Sequence, residues 1–119
     1  MNWKSIRLEL GSTQEFPAGS ASRTYLLRLP LGDDGRIDET SLHQSPQRAT
    51  VRRFWPNEPD LAGQVVATPS GWAFCYEIDG HVDRRSQLES DEIRAGGEVT
   101  LVEPDGRRLP FVVASIEMR

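Results

Sequence analysis

Gly97-Glu98-Val99-Thr100-Leu101-Val102-Glu103-Pro104-Asp105-Gly106-Arg107-Arg108-Leu109-Pro110-Phe111-Val112-Val113-Ala114-Ser115-Ile116-Glu117-Met118 is the stretch that decides the fold. It reads as two strands, Gly97–Glu103 and Arg108–Met118, joined through Pro104-Asp105-Gly106, where Asp and Gly tolerate the positive φ of a tight hairpin. On the second arm Leu109, Phe111 and Val113 alternate with Val112, Ala114 and Ile116. A strand apolar on both faces belongs in the middle of a sheet or inside a closed barrel.

Working back along the chain, the same period of two recurs. Gly71–Ile78 places Trp72, Phe74, Tyr76 and Ile78 on one face, enough to bury on the order of several hundred Å². Ala73 and Cys75 on its other face are small, which invites close packing there. Gly63–Thr68 precedes it and predicts a hairpin around Pro69-Ser70. Ala49–Trp55 is a further strand in which Thr50, Arg52 and Phe54 alternate with Val51, Arg53 and Trp55, and Pro56-Asn57-Glu58-Pro59 forbids its continuation. Trp3–Leu10 and Ser22–Leu29 complete the strands, with Tyr25, Leu27 and Leu29 on one face of the latter. Between Pro30 and Pro46, Gly32-Asp33-Asp34-Gly35 is a turn and Asp38 is the N-cap of a short helix over Glu39–Gln44. Asp79–Ala95 is polar and ambiguous; Ser86–Arg94 fits a short helix or a strand with a loop.

The expected architecture is all-β and mainly antiparallel: a small barrel or compact sandwich of about seven strands with one short helix. The barrel is preferred, because closure removes exposed edges. Residues 1–119 read as a single β-rich domain, since a chain of 119 residues builds one core and not two.

Composition narrows the classes of function. No window is apolar enough to span a bilayer, and the start lacks an apolar leader, so no membrane association is expected. Cys75 is the only cysteine, which favours a reducing, cytoplasmic setting. The net charge is −4, against strong attraction to nucleic acid or anionic lipid. Lys4 is the only lysine among 14 cationic residues, an arginine bias that fits a GC-rich bacterial genome.

The chain carries no phosphate loop and no dinucleotide fingerprint; Gly96-Gly97 opens a strand, not a helix. His43, His81 and Cys75 are too few and too scattered for a zinc site. Asp33–Glu39 lacks the ligand spacing of a calcium loop and reads as a solvated turn. Cys75 sits between aromatics in a strand with nothing to lower its pKa. Asp91-Glu92 reads as surface charge rather than an acid–base pair. Neither a catalytic residue nor a cofactor or metal is therefore expected.

The suggestive constellation is Arg48–Trp55, arginines interleaved with aromatics. Such a strand suits anion binding or a single-stranded nucleic-acid platform, although alternation puts Arg52 with Phe54 and Arg53 with Trp55 on opposite faces. The expected function is a small non-catalytic binding or interaction domain for a protein or a small anionic ligand. The residues expected to carry it are Arg23, Arg28, Arg52, Arg53, Trp55, Trp72, Tyr76 and His81. A small barrel binding nucleic acid through the same residues is the alternative, and a homodimer, or an enzyme whose site another chain completes, is left open.

Overall fold

The computed structural model describes residues 2–69, 71–89 and 92–118, with the side chains of residues 83–85 left aside. Eight strands form a closed barrel in chain order: β1 (Trp3–Leu10), β2 (Ser20–Pro30), β3 (Thr50–Phe54), β4 (Leu61–Thr68), β5 (Gly71–Ile78), β6 (His81–Leu88), β7 (Glu98–Val102) and β8 (Arg108–Met118). Each strand pairs antiparallel with the next, and β8 returns to β1. The barrel, not the sandwich, is the architecture.

Alternation fills the interior. Ile6, Leu8 and Leu10 of β1, Tyr25, Leu27 and Leu29 of β2, Val51 and Arg53 of β3, and Phe74 and Tyr76 of β5 are all buried. Leu88, Val99, Leu101, Phe111 and Val113 close the ring from β6, β7 and β8. With eight strands, the bore is the size that side chains can fill or that can hold one small ligand.

Two sequence expectations need correction. The ambiguous stretch, which fits a helix or a strand with a loop, supplies a strand earlier than expected and brings the count to eight: β6 runs from His81 to Leu88 and pairs with β5 along its length. Its entry is a two-residue turn, Asp79-Gly80, with φ of 51° and 80°, the positive values that a tight hairpin requires. Ser90 and Asp91 lie outside the described residues, as does Ser70 of the β4–β5 turn. The second correction concerns Ile116. Arg7 pairs with Ser115 but Leu8 with Val113, so Ala114 is an extra residue on β8. This bulge reverses the phase of the strand. Ile116 pairs with Ile6 and packs against the core with Phe111 and Val113, not on the face of Val112.

A close backbone approach falls at Gly63, which lies between Val51 and Tyr76 in the ladder, on the face of Tyr76 and not the one shared by Ala73 and Cys75. A Cβ there would stand 1.9 Å from the Cys75 carbonyl oxygen, so only glycine lets β4 and β5 meet. On the long β2–β3 connection, helix α1 (Glu39–Gln44) forms where expected. Asp38 caps it by accepting from the backbone N–H groups of Thr40 and Ser41, and Leu42 enters the core.

Candidate ligand pocket at one end of the barrel

The two ends of the barrel differ. At one end Leu31, Leu42 and Ile93 are buried. The Leu31–Ile37 and Arg36–Glu92 bridges knit the covering loops together, and the Ile93 N–H donates to the Gly35 carbonyl at 2.8 Å. The opposite end gathers the β1–β2 loop, the β3–β4 loop and the β7–β8 turn, and holds a pocket of about 530 Å³. Its walls are Leu10, Thr13, Gln14, Glu15, Phe16, Arg23, Trp55, Arg107 and Leu109.

The β1–β2 loop is built to present Phe16. Thr13 brackets that residue twice, donating its N–H to the Phe16 carbonyl and accepting the Phe16 N–H on Oγ1, each at 2.9 Å. The Gly19 N–H also donates to the Phe16 carbonyl. Across from it, the Arg23 guanidinium carbon stacks 4.0 Å from the centre of the Phe16 ring and 5.8 Å from that of Trp55. Arg23 donates from Nη1 to Ser20 Oγ at 3.1 Å and has no carboxylate partner among the described residues. Arg107, by contrast, is paired with Asp105 at 2.7 Å. With Arg107 neutralised by Asp105, Arg23 is the lining cation without a carboxylate partner among the described residues, and Glu15 is the lining anion.

Trp55, in the pocket wall, also packs against a polar cluster inside the barrel. Its ring lies 4.1 Å from the Arg53 guanidinium carbon, and its centroid is 6.4 Å from Tyr25 and 6.3 Å from Phe111. Beneath it Arg53 donates from Nη2 to Glu103 Oε1 at 3.0 Å, from Nη1 to Glu58 Oε1 at 3.0 Å and from Nε to the Tyr25 hydroxyl oxygen at 3.1 Å. Tyr25 in turn donates to Glu103 Oε2 at 2.5 Å. Both oxygens of Glu103 are therefore engaged, and the carboxylate is spoken for as a structural acceptor. Burial first, then the neighbouring Tyr76 and Glu103, pushes the Tyr25 phenol well above its ordinary pKa and keeps it a donor. For Arg53, burial opposes the charge, but Tyr25, Glu103 and Glu58 outweigh it and hold the guanidinium more firmly protonated than usual.

Tyr76 completes the cluster. It is fully buried, and its hydroxyl is without a hydrogen-bond partner among the described residues. Ser86 and Tyr25 are near enough to influence its ionisation, yet neither meets it at hydrogen-bonding geometry. Burial pushes its pKa up to about 12.

Of the residues singled out in the sequence, the fold brings Arg23, Arg53, Trp55 and Tyr76 to this end of the barrel. Arg28 and Arg52 stand exposed on the outer wall, Arg52 stacking 5.0 Å over Phe54. Trp72 is half-buried at the far end of β5, opposite Leu88, and His81 is exposed beside the β5–β6 turn. The Arg48–Trp55 platform is thus divided between the two surfaces of the barrel wall. Asp34 and Asp38 serve the turn and the helix cap, accepting from backbone N–H groups. Sequence reasoning missed Phe16, Tyr25 and Glu103 as site residues. Glu103 was findable, because it continues the inward series Val99, Leu101 and is the one charge on that face.

A closed, eight-stranded, up-and-down β-barrel with a pocket at one end is the class of protein that this geometry defines. Compared with protein families, with curated proteins and with solved structures, the chain matches none of them. No helix among the described residues is long and apolar enough to cross a membrane.

Proposed function

We propose that the protein is a non-catalytic binding module that takes a small anionic ligand with an apolar or aromatic body into the barrel-end pocket. The observation that carries this is Arg23: a half-buried guanidinium stacked on two aromatic rings, without a carboxylate partner among the described residues, in the wall of a 530 Å³ pocket. Stacking pre-orients the planar fork, and its free edge matches a carboxylate or phosphate. The volume lies in the ordinary range for small-molecule sites. Phe16, Trp55, Leu10 and Leu109 supply the apolar surface for the body of the ligand. The lone, half-exposed Cys75 suits the reducing cytoplasm of a bacterial cell, and the closed barrel suits a single domain.

A nucleic-acid partner draws less support, because Arg53 and Trp55 turn inward while Arg28 and Arg52 remain outside. The test is calorimetric titration with a naphthalene carboxylate and with its neutral amide. The carboxylate is expected to bind the wild-type protein more tightly than the amide, and Arg23→Gln to weaken the carboxylate about tenfold while sparing the amide. If neither compound binds at millimolar concentration, the reading is refuted.

A further inference from the structure

We propose that the ligand site continues inward past Trp55, where the Tyr76 hydroxyl donates a hydrogen bond to an acceptor at the far end of the ligand. This inference rests on the barrel-end pocket being a ligand site, and it names the ligand more closely: a rigid apolar body, anionic at one end, with a hydroxyl or carbonyl at the other.

Three observations lead there. First, the barrel interior below Trp55 is polar where it could have been apolar, with Arg53, Tyr25, Glu103 and Ser86 around Tyr76. Second, every other phenol or charge in that cluster is matched, whereas the Tyr76 hydroxyl is buried and idle. A buried polar group without a partner destabilises the resting protein, so its retention needs a reason. Third, Trp55 belongs both to the pocket wall and to the interior, its ring meeting Arg53, Tyr25 and Phe111. Trp55 follows the last residue of β3, touches Arg53, Arg23, Tyr25 and Phe111 through its ring, and its indole N–H makes no hydrogen bond among the described residues. Turning its side chain aside would therefore break no side-chain hydrogen bond among the described residues.

Two ligand pairs test this: a naphthalene carboxylate and its analogue with a hydroxyl at the far end of the rings, and the same pair on biphenyl, which reaches deeper. In at least one pair the hydroxyl is expected to tighten binding about tenfold. Tyr76→Phe is expected to abolish that increment, to leave the parent carboxylate unchanged and to hold or raise the melting temperature of the free protein. If the carboxylates bind but the hydroxyl adds nothing in either pair, the site stops at Trp55 and only the present inference falls. If no carboxylate binds, the pocket reading falls and takes this one with it. A lowered melting temperature, or failure to fold, in Tyr76→Phe means the hydroxyl is satisfied at rest, which also overturns the proposal.

Discussion

Removing Arg53 puts the interior of the barrel to its most exacting test. The side chains of Arg53 and Glu103 are 6% and 2% exposed, and the charged groups meet at 3.0 Å. Arg53→Met leaves the Glu103 carboxylate in the barrel with only the Tyr25 hydroxyl, and an uncompensated buried charge costs about 3–5 kcal/mol. The link to Glu58 adds little, because that carboxylate is half exposed. Replacing both partners, as Arg53→Met with Glu103→Leu, removes the stranded charge but orphans the Tyr25 hydroxyl, whose remaining neighbour Ser86 is 3.5 Å away. That residue of the penalty is about 1–3 kcal/mol. Adding Tyr25→Phe takes away that orphan and leaves only the buried Ser86 hydroxyl without its 3.5 Å neighbour, so the triple variant is expected within about 2 kcal/mol of the wild type. Urea unfolding read by tryptophan fluorescence measures the series. Stabilities that fall steadily from single to double to triple variant would refute the account, since the reasoning requires them to recover.

The protein has only two tyrosines, Tyr25 and Tyr76, both buried, so phenolate absorbance on alkaline titration reports this cluster alone. Both pKa values are raised in the fold, so the stability they confer is complete below the ordinary phenol pKa and declines as pH climbs toward the folded values, about 12 for Tyr76. Stability is expected to drop above pH ~10 by about 2.7 kcal/mol per pH unit for the two groups together, with phenolate signal appearing only as the barrel unfolds; titration of a folded protein near the free-tyrosine value contradicts this. Gly63→Ala would set a Cβ 1.9 Å from the Cys75 carbonyl oxygen, and a clash with backbone forces β4 from β5; a loss of more than about 2 kcal/mol in thermal or urea unfolding is expected. Asp38→Ala deprives the Thr40 and Ser41 N–H groups of their acceptor and is expected to lower the melting temperature without changing binding of the naphthalene carboxylate.

The strands that alternation declared were those whose inward residues are apolar. β1, β5 and the β7–β8 hairpin fall where the period of two put them, because Ile6, Leu8, Phe74, Val99 and Phe111 mark one face without ambiguity. β6 escaped for the opposite reason: of its described side chains only Leu88 and Ser86 are buried, and the exposed Val82 points to no face. Asp79-Gly80 was the available signal. Ile116 was misplaced because a bulge leaves no mark in composition; Ala114 looks like any small outward residue. The site was half legible. Arg53, Trp55 and Tyr76 stand out as polar or aromatic groups on strands. Tyr25 shares a strand face with Leu27 and Leu29 and so does not stand out from them, and Phe16 is placed by loop hydrogen bonds that no periodicity encodes.

Among the described residues β6 and β7 pair at Gln87–Val102 and Leu88–Leu101, with the Glu89 N–H donating to the Thr100 carbonyl at 3.1 Å just beyond, whereas β1 and β8 are joined from Lys4–Met118 to Leu10–Phe111. The cylinder is therefore closed along one short suture, far less extensive than its other ladders. Backbone amides flanking that suture should exchange with deuterium well before those of β1, and the wall beside the polar interior is the first part of the molecule to breathe.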